Sequence, residues 1–123
     1  MSVQNPTTWV EIDIAGEVSG DKYFGRFLLK HYLGIAERSD AARLATVWNR
    51  GIDDKQHSEL IELNTALAYL KFHIVETDAP WWKDFGLNVI DTSPVQALSD
   101  QLIEERNKAK AARQNQTLAS ATV

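Results

Sequence analysis

The chain contains no cysteine. That excludes disulfides, thiolate metal sites and a thiol nucleophile, and it suits a reducing compartment. Proline occurs three times and methionine once, so the chain has neither a proline-rich linker nor a methionine-rich binding face. No apolar run approaches the roughly 18 residues of a membrane span, and no membrane partner is expected. The first residues, MSVQNPTTW, have neither a basic nor an apolar leader region, so no signal peptide is expected. Basic excess is also missing. The net charge is −4 and the isoelectric point about 5.3, whereas a protein that grips nucleic acid through phosphates carries surplus cations.

What is present is an ordinary globular composition, 44% hydrophobic and 24% charged over 123 residues. One domain is the natural expectation. From Trp9 the apolar period is two. Val10, Ile12, Ile14 and Val18 share one face, opposite Glu11, Asp13 and Glu17. Tyr23, Gly25, Phe27 and Leu29 repeat the alternation, opposite Arg26 and Lys30. Gly20-Asp21 between them predicts a two-residue hairpin turn. That register pairs Ser19 with Lys22, Val18 with Tyr23, Ile14 with Phe27, Ile12 with Leu29 and Glu11 with Lys30.

Beyond Leu33 the period lengthens. Leu44, Val47 and Trp48 predict a helix over about 36–50, stopped by Gly51. Leu60, Leu63, Leu67, Leu70 and Ile74 predict a central helix over about 55–75. Pro80 bars its continuation, and residues 77–93 read as a connection. Asp91-Thr92-Ser93-Pro94 reads as a helix start with a Thr or Ser cap. The last helix is expected over 94 to about 113, its apolar face marked by Val95, Leu98 and Leu102. The expected architecture is α+β and mainly helical: an N-terminal β-hairpin packed against three α-helices in a single domain over 1–113. Small polar residues over 114–123 read as a flexible C-terminal tail.

Chemistry-bearing patterns are scarce. His31, His57 and His73 form no HExxH pair. His57 near Asp53, Asp54 and Glu59 reads as a solvated helix start rather than a metal site. Gly20 to Gly25 lacks the order of a phosphate loop, and there is no GxSxG. No catalytic residue, cofactor or metal is therefore expected, and the chain reads as a non-enzyme. The cluster Arg106, Lys108, Lys110 and Arg113 lacks interleaved aromatics and reads as an exposed helix end, so no nucleic-acid partner is expected.

Aromatic density stands out instead: four tryptophans in 123 residues, two of them adjacent in TDAPWWKDFG. Neighbouring side chains diverge on any regular backbone, so one core does not easily take both indoles. Tryptophan is enriched at interface hot spots. Trp81, Trp82 and Phe85 are the candidate protein-interface residues, with a packed loop over the long helix as the competing reading.

The segments VSGDKYFGRFLLKHYLGIAERSDAARL, LNTALAYLKFHIVETDAPWWKDFG and LNVIDTSPVQAL resemble the tail assembly chaperones of long-tailed bacteriophages over about residues 10–105. The similarity lies in a strand pair with the step Tyr23-Phe24-Gly25-Arg26-Phe27, a helix near Glu37-Arg38, a long helix into Pro80-Trp81-Trp82, and a final helix from Asp91. It implies a non-enzymatic chaperone of the infected host cytoplasm. Such a protein would self-associate, escort the tape-measure protein, and give way to tail tube protein during assembly. The alternative is a structural tail or head–tail completion protein retained in the virion.

Overall fold

Strand β1, Thr7–Ala15, and strand β2, Lys22–Lys30, form the hairpin expected from the alternating pattern. The coordinates are a computed structural model, which describes the backbone of residues 6–121 and the side chains of residues 6–114. Helix α1 covers Ile35–Trp48 and helix α2 covers Ser58–His73. Strand β3, Ile74–Thr77, follows α2 directly, and helix α3 covers Ser93–Ala121. The fold is α+β, and the sheet has three antiparallel strands in the order β1-β2-β3.

Two differences from expectation concern the sheet. β3 lies where the sequence pattern suggested the end of a helix and the start of a connection. Ile74 and Val75 are β-branched and stiff in a helix, and pairing of Leu29 with Ile74 and Phe27 with Thr77 recruits the segment to β2. The hairpin register is also different. Ile12 pairs with Gly25, Val10 with Phe27 and Glu11 with Arg26, a slip of four residues from the two-residue turn. Four is even, so no side chain changes face. Val10, Ile12, Tyr23, Phe27 and Leu29 all point to the core as expected, whereas Val18 leaves the strand and is exposed in the connecting loop.

That loop, residues 16–21, is closed by Gly16 N–H donating to the Asp21 carbonyl at 2.8 Å and Gly20 N–H to the Gly16 carbonyl at 3.0 Å. It is shaped by a carboxylate from far along the chain. Asp91 accepts from Val18 N–H at 2.6 Å, Ser19 N–H at 3.0 Å, the Ser19 hydroxyl at 2.5 Å and the Tyr23 hydroxyl at 2.7 Å. The carboxylate lies so close to Gly16 that a Cβ there would stand 2.1 Å from Oδ2. Glu17 completes the lock in reverse. It accepts from Thr92 N–H and the Thr92 hydroxyl at 2.8 Å, and from Ser93 N–H at 3.1 Å. The start of α3 is thus capped by a carboxylate from the hairpin, not by its own threonine or serine, and the negative charge faces the positive end of the helix dipole.

Both carboxyls titrate low. The Ser93 hydroxyl beside Glu17, which does not itself reach hydrogen-bond geometry, and the Thr92 donors lower its pKa to about 2. Burial pushes Asp91 up, but the Ser19 and Tyr23 hydroxyls and two backbone N–H groups outweigh it and hold Asp91 well below the carboxylate range.

The core lies between one face of the sheet and helices α2 and α3. Phe27, Leu29, Leu67, Leu70, Val95, Leu98 and Leu102 meet there, so the leucine stripe of α2 faces inward at its centre while Leu60 is exposed. α1 packs on the outside of α2 through small residues, with Ala41, Ala45 and Ala68 buried. Asn49 donates to the Thr65 hydroxyl at 3.2 Å and accepts from Asn64 at 3.0 Å, fastening the end of α1 to α2. α3 runs past the end expected near residue 113. The side chains of 115–123, where a flexible tail is expected, lie outside the described residues. No helix among the described residues is long and apolar enough to cross a membrane.

Candidate protein-interaction surface

The two adjacent tryptophans open the segment that carries the chain from β3 to α3. Pro80, Trp81 and Trp82 form one turn of 3-10 helix. Proline at its start needs no amide donor there. A 3-10 turn advances about 120° per residue, which separates the two indoles, and the sheet accepts both. The rings stand at 90° with centroids 5.9 Å apart. Phe27 is their common floor, 5.4 Å from Trp81 and 6.2 Å from Trp82. Tyr23 meets the edge of Trp81 at 5.7 Å. Each contact has the edge-to-face or tilted geometry that aromatic quadrupoles favour.

The two indoles differ in exposure. Trp82 is 6% exposed and belongs to the core. Trp81 is only partly buried and packs against that core from its margin. Its Nε1 is covered and has no hydrogen-bond acceptor among the described residues, so this indole is held by packing and ring contacts. Trp81 also lines an open cavity of about 320 Å3 with Tyr23, Pro80, Asn88, Val89 and Ile90.

Phe85 follows in a tight turn. The Leu87 N–H donates to the Asp84 carbonyl at 3.1 Å, and the two central residues, Phe85 and Gly86, have φ of 56° and 74°. Such a turn favours glycine or asparagine at both central positions. Gly86 meets that demand and also makes room, because a Cβ there would press on Leu67 at 3.0 Å and on the Trp82 ring at 3.2 Å. Phe85 does not. It is a bulky residue in the left-handed region, a conformation that costs of order 1–3 kcal/mol. The residue is 38% exposed, with Lys71 Nζ 5.0 Å from the ring centroid. Leu87 and Ile90 are exposed on the same loop. The sequence therefore identified a segment whose members divide: Trp82 inward, Trp81 at the margin, Phe85 outward.

Two polar groups here were read differently from sequence. Asp91 looked like part of a helix start and instead organises the hairpin loop. Arg106 looked like one of an exposed basic cluster. It lies four residues beyond Leu102 on the inward stripe of α3, a spacing visible in the sequence, and its side chain turns into the protein. Lys108, by contrast, stays on the surface between Glu104 and Glu105. Among the described residues no group of three His, Asp or Glu is placed to hold a metal ion. No protein-family model, curated protein or solved structure matches the chain.

Proposed function

We propose that this protein is a non-enzymatic tail assembly chaperone of long-tailed bacteriophages. In this reading it acts in the cytoplasm of the infected host, binds the tape-measure protein, associates with itself, and is displaced by tail tube protein as the tube grows. The observation that carries the proposal is Phe85. An exposed aromatic ring in a strained backbone conformation lowers the stability of the isolated chain, and such strain collects at sites kept for function. Leu87 and Ile90 are exposed on the same loop, and the open cavity beside Trp81 is lined by Ile90 together with Lys83 and Asp84. Apolar anchors inside a polar rim are the anatomy of a protein-binding patch.

The mechanism is masking. A tape measure is long, helical and apolar in places, and its uncovered apolar surface drives aggregation until the tube encloses it. A chaperone that uses no nucleotide must bind with modest affinity and yield to tube subunits. Phe85 and Trp81 would make the contact, and Trp82 would hold their loop against the sheet. The element order of strand pair, helix, long helix, Pro-Trp-Trp turn and final helix accords with the resemblance in sequence.

The test is co-expression with candidate tape-measure and tail proteins, followed by pull-down and sizing. Capture is expected for the wild-type chain and loss of capture for Phe85→Gly. No capture by the wild type, or undiminished capture by the variant, refutes the reading. Mass spectrometry of purified virions is expected to lack the chain, and its presence there would instead mark a structural subunit.

A further inference from the structure

A second surface, sharing no residue with the aromatic loop, carries charge. It is an open cavity of about 410 Å3 lined by Tyr32, Leu33, Arg38, Tyr69, His73 and Arg106. Arg106 is its most constrained member. Nε donates to the His31 carbonyl at 2.6 Å, Nη2 donates to His73 Nε2 at 3.1 Å, and Cζ lies 5.8 Å from the centre of the Tyr32 ring.

The bonding directions fix the imidazole. A guanidinium only donates, so His73 Nε2 must accept. A carbonyl only accepts, so His73 Nδ1, 2.7 Å from the Lys30 carbonyl, must carry the proton. The ring is neutral, and burial together with the Arg106 and Lys30 cations keeps its pKa below the usual histidine value. His73 is thus a neutral bracket that aims Arg106 without competing for an anion.

Neither arginine of the cavity has a carboxylate partner among the described residues. Glu37, on the same helix as Arg38, is taken by Lys30. Glu105, beside Arg106, is taken by Lys108. Arg106 spends Nε and one Nη2 hydrogen on the protein and has its remaining donors to offer. A partly buried guanidinium without a counter-ion is costly, and its fork fits the paired oxygens of phosphate or carboxylate. The Tyr32 and Tyr69 rings and the aliphatic Leu33 add apolar walls.

We propose that this cavity binds a small molecule bearing an oxyanion, phosphate or carboxylate, on a planar apolar body. Arg38 and Arg106 hold the oxygens, and Tyr69 and Leu33 pack on the body. The experiment is calorimetric titration of the full chain with inorganic phosphate and with phenyl phosphate, against sodium chloride at matched ionic strength. Saturable binding is expected for both phosphates, tighter for phenyl phosphate, and none for chloride. The Arg38 side chain is exposed and has no hydrogen-bond or ion-pair partner among the described residues, so Arg38→Gln is expected to melt like the wild type yet bind phenyl phosphate at least about tenfold more weakly, the loss of one charge-assisted contact. Arg106→Lys, which keeps charge but loses the fork, is expected to weaken binding while preserving the fold. No saturable heat from the wild type, chloride matching phosphate, or undiminished binding by Arg38→Gln overturns the proposal.

Discussion

Replacing each tryptophan of the adjacent pair by alanine separates two roles that the sequence alone leaves joined. Trp82 is 6% exposed and fills the space between Phe27, Leu67 and Gly86. Its loss leaves a cavity the sheet cannot close, a class of change that costs about 3–5 kcal/mol. Unfolding entropy is about 2.1 cal/mol/K per residue, or about 0.26 kcal/mol/K for a chain of this length, so the melting temperature should fall by about 12–19 °C. Trp81 is only partly covered and gives up its contacts with Tyr23 and Phe27, but its removal also deletes an unpaired buried donor. These oppose one another, leaving a net cost of about 1–2 kcal/mol. Thermal melts followed by circular dichroism would measure both variants, with sizing chromatography to follow association. Trp81→Phe, which keeps a ring and drops the N–H, should melt close to the wild type. Equal losses from the two alanine variants, or a Trp82→Ala cost below about 1 kcal/mol, would show that the packing argument is wrong.

Phe85→Gly should raise or preserve the melting temperature, because the turn prefers glycine at that φ, by up to about 1 kcal/mol; a clear drop would mean that the Lys71 contact outweighs the strain. Gly16→Ala should prevent folding or melt far below Gly20→Ala. The first places a Cβ against Asp91, whereas the second meets nothing within 4 Å and bears only its positive φ; similar melts for the two would refute the Asp91 lock. Acid should destabilise in two stages. His31 and His73 have folded pKa values below 6.5 through burial. The unfolded chain then binds protons that the folded chain refuses, and stability declines below about pH 6.5. Glu17, lowered from 4.5 to about 2, and Asp91, lowered from 3.8, contribute stability that is complete above about pH 5 and is lost as pH falls toward 2. Melts from pH 8 to 2.5 should show the shallow and then the steep decline, the steep part reduced in Glu17→Gln. Stability rising on acidification would contradict both signs.

Local periodicity was enough to place the hairpin strands, the three helices and the inward face of both hairpin strands. A period of two or of 3.6 is written by neighbours in the chain, and the water-avoiding side of the hairpin strands, α2 and α3 follows from it; α1 differs, burying Ala41 and Ala45 while Val47 of its expected stripe is exposed. It was also enough to single out the Pro-Trp-Trp segment. Register, β3 and the division of labour within that segment were decided in three dimensions. Asp91 sets the hairpin loop from more than seventy residues away, and only its arrival shows why Gly16 has no side chain. Ile74 to Thr77 became a strand because β2 had an open edge to offer. Trp82 turned inward and Phe85 outward because Gly86 left space for one ring, while the left-handed turn directed the other to solvent. Arg106 left the basic surface for the same kind of reason: the carbonyl of His31, just after β2, and the His73 imidazole of α2, itself held by the Lys30 carbonyl, converge where no stretch of sequence contains both.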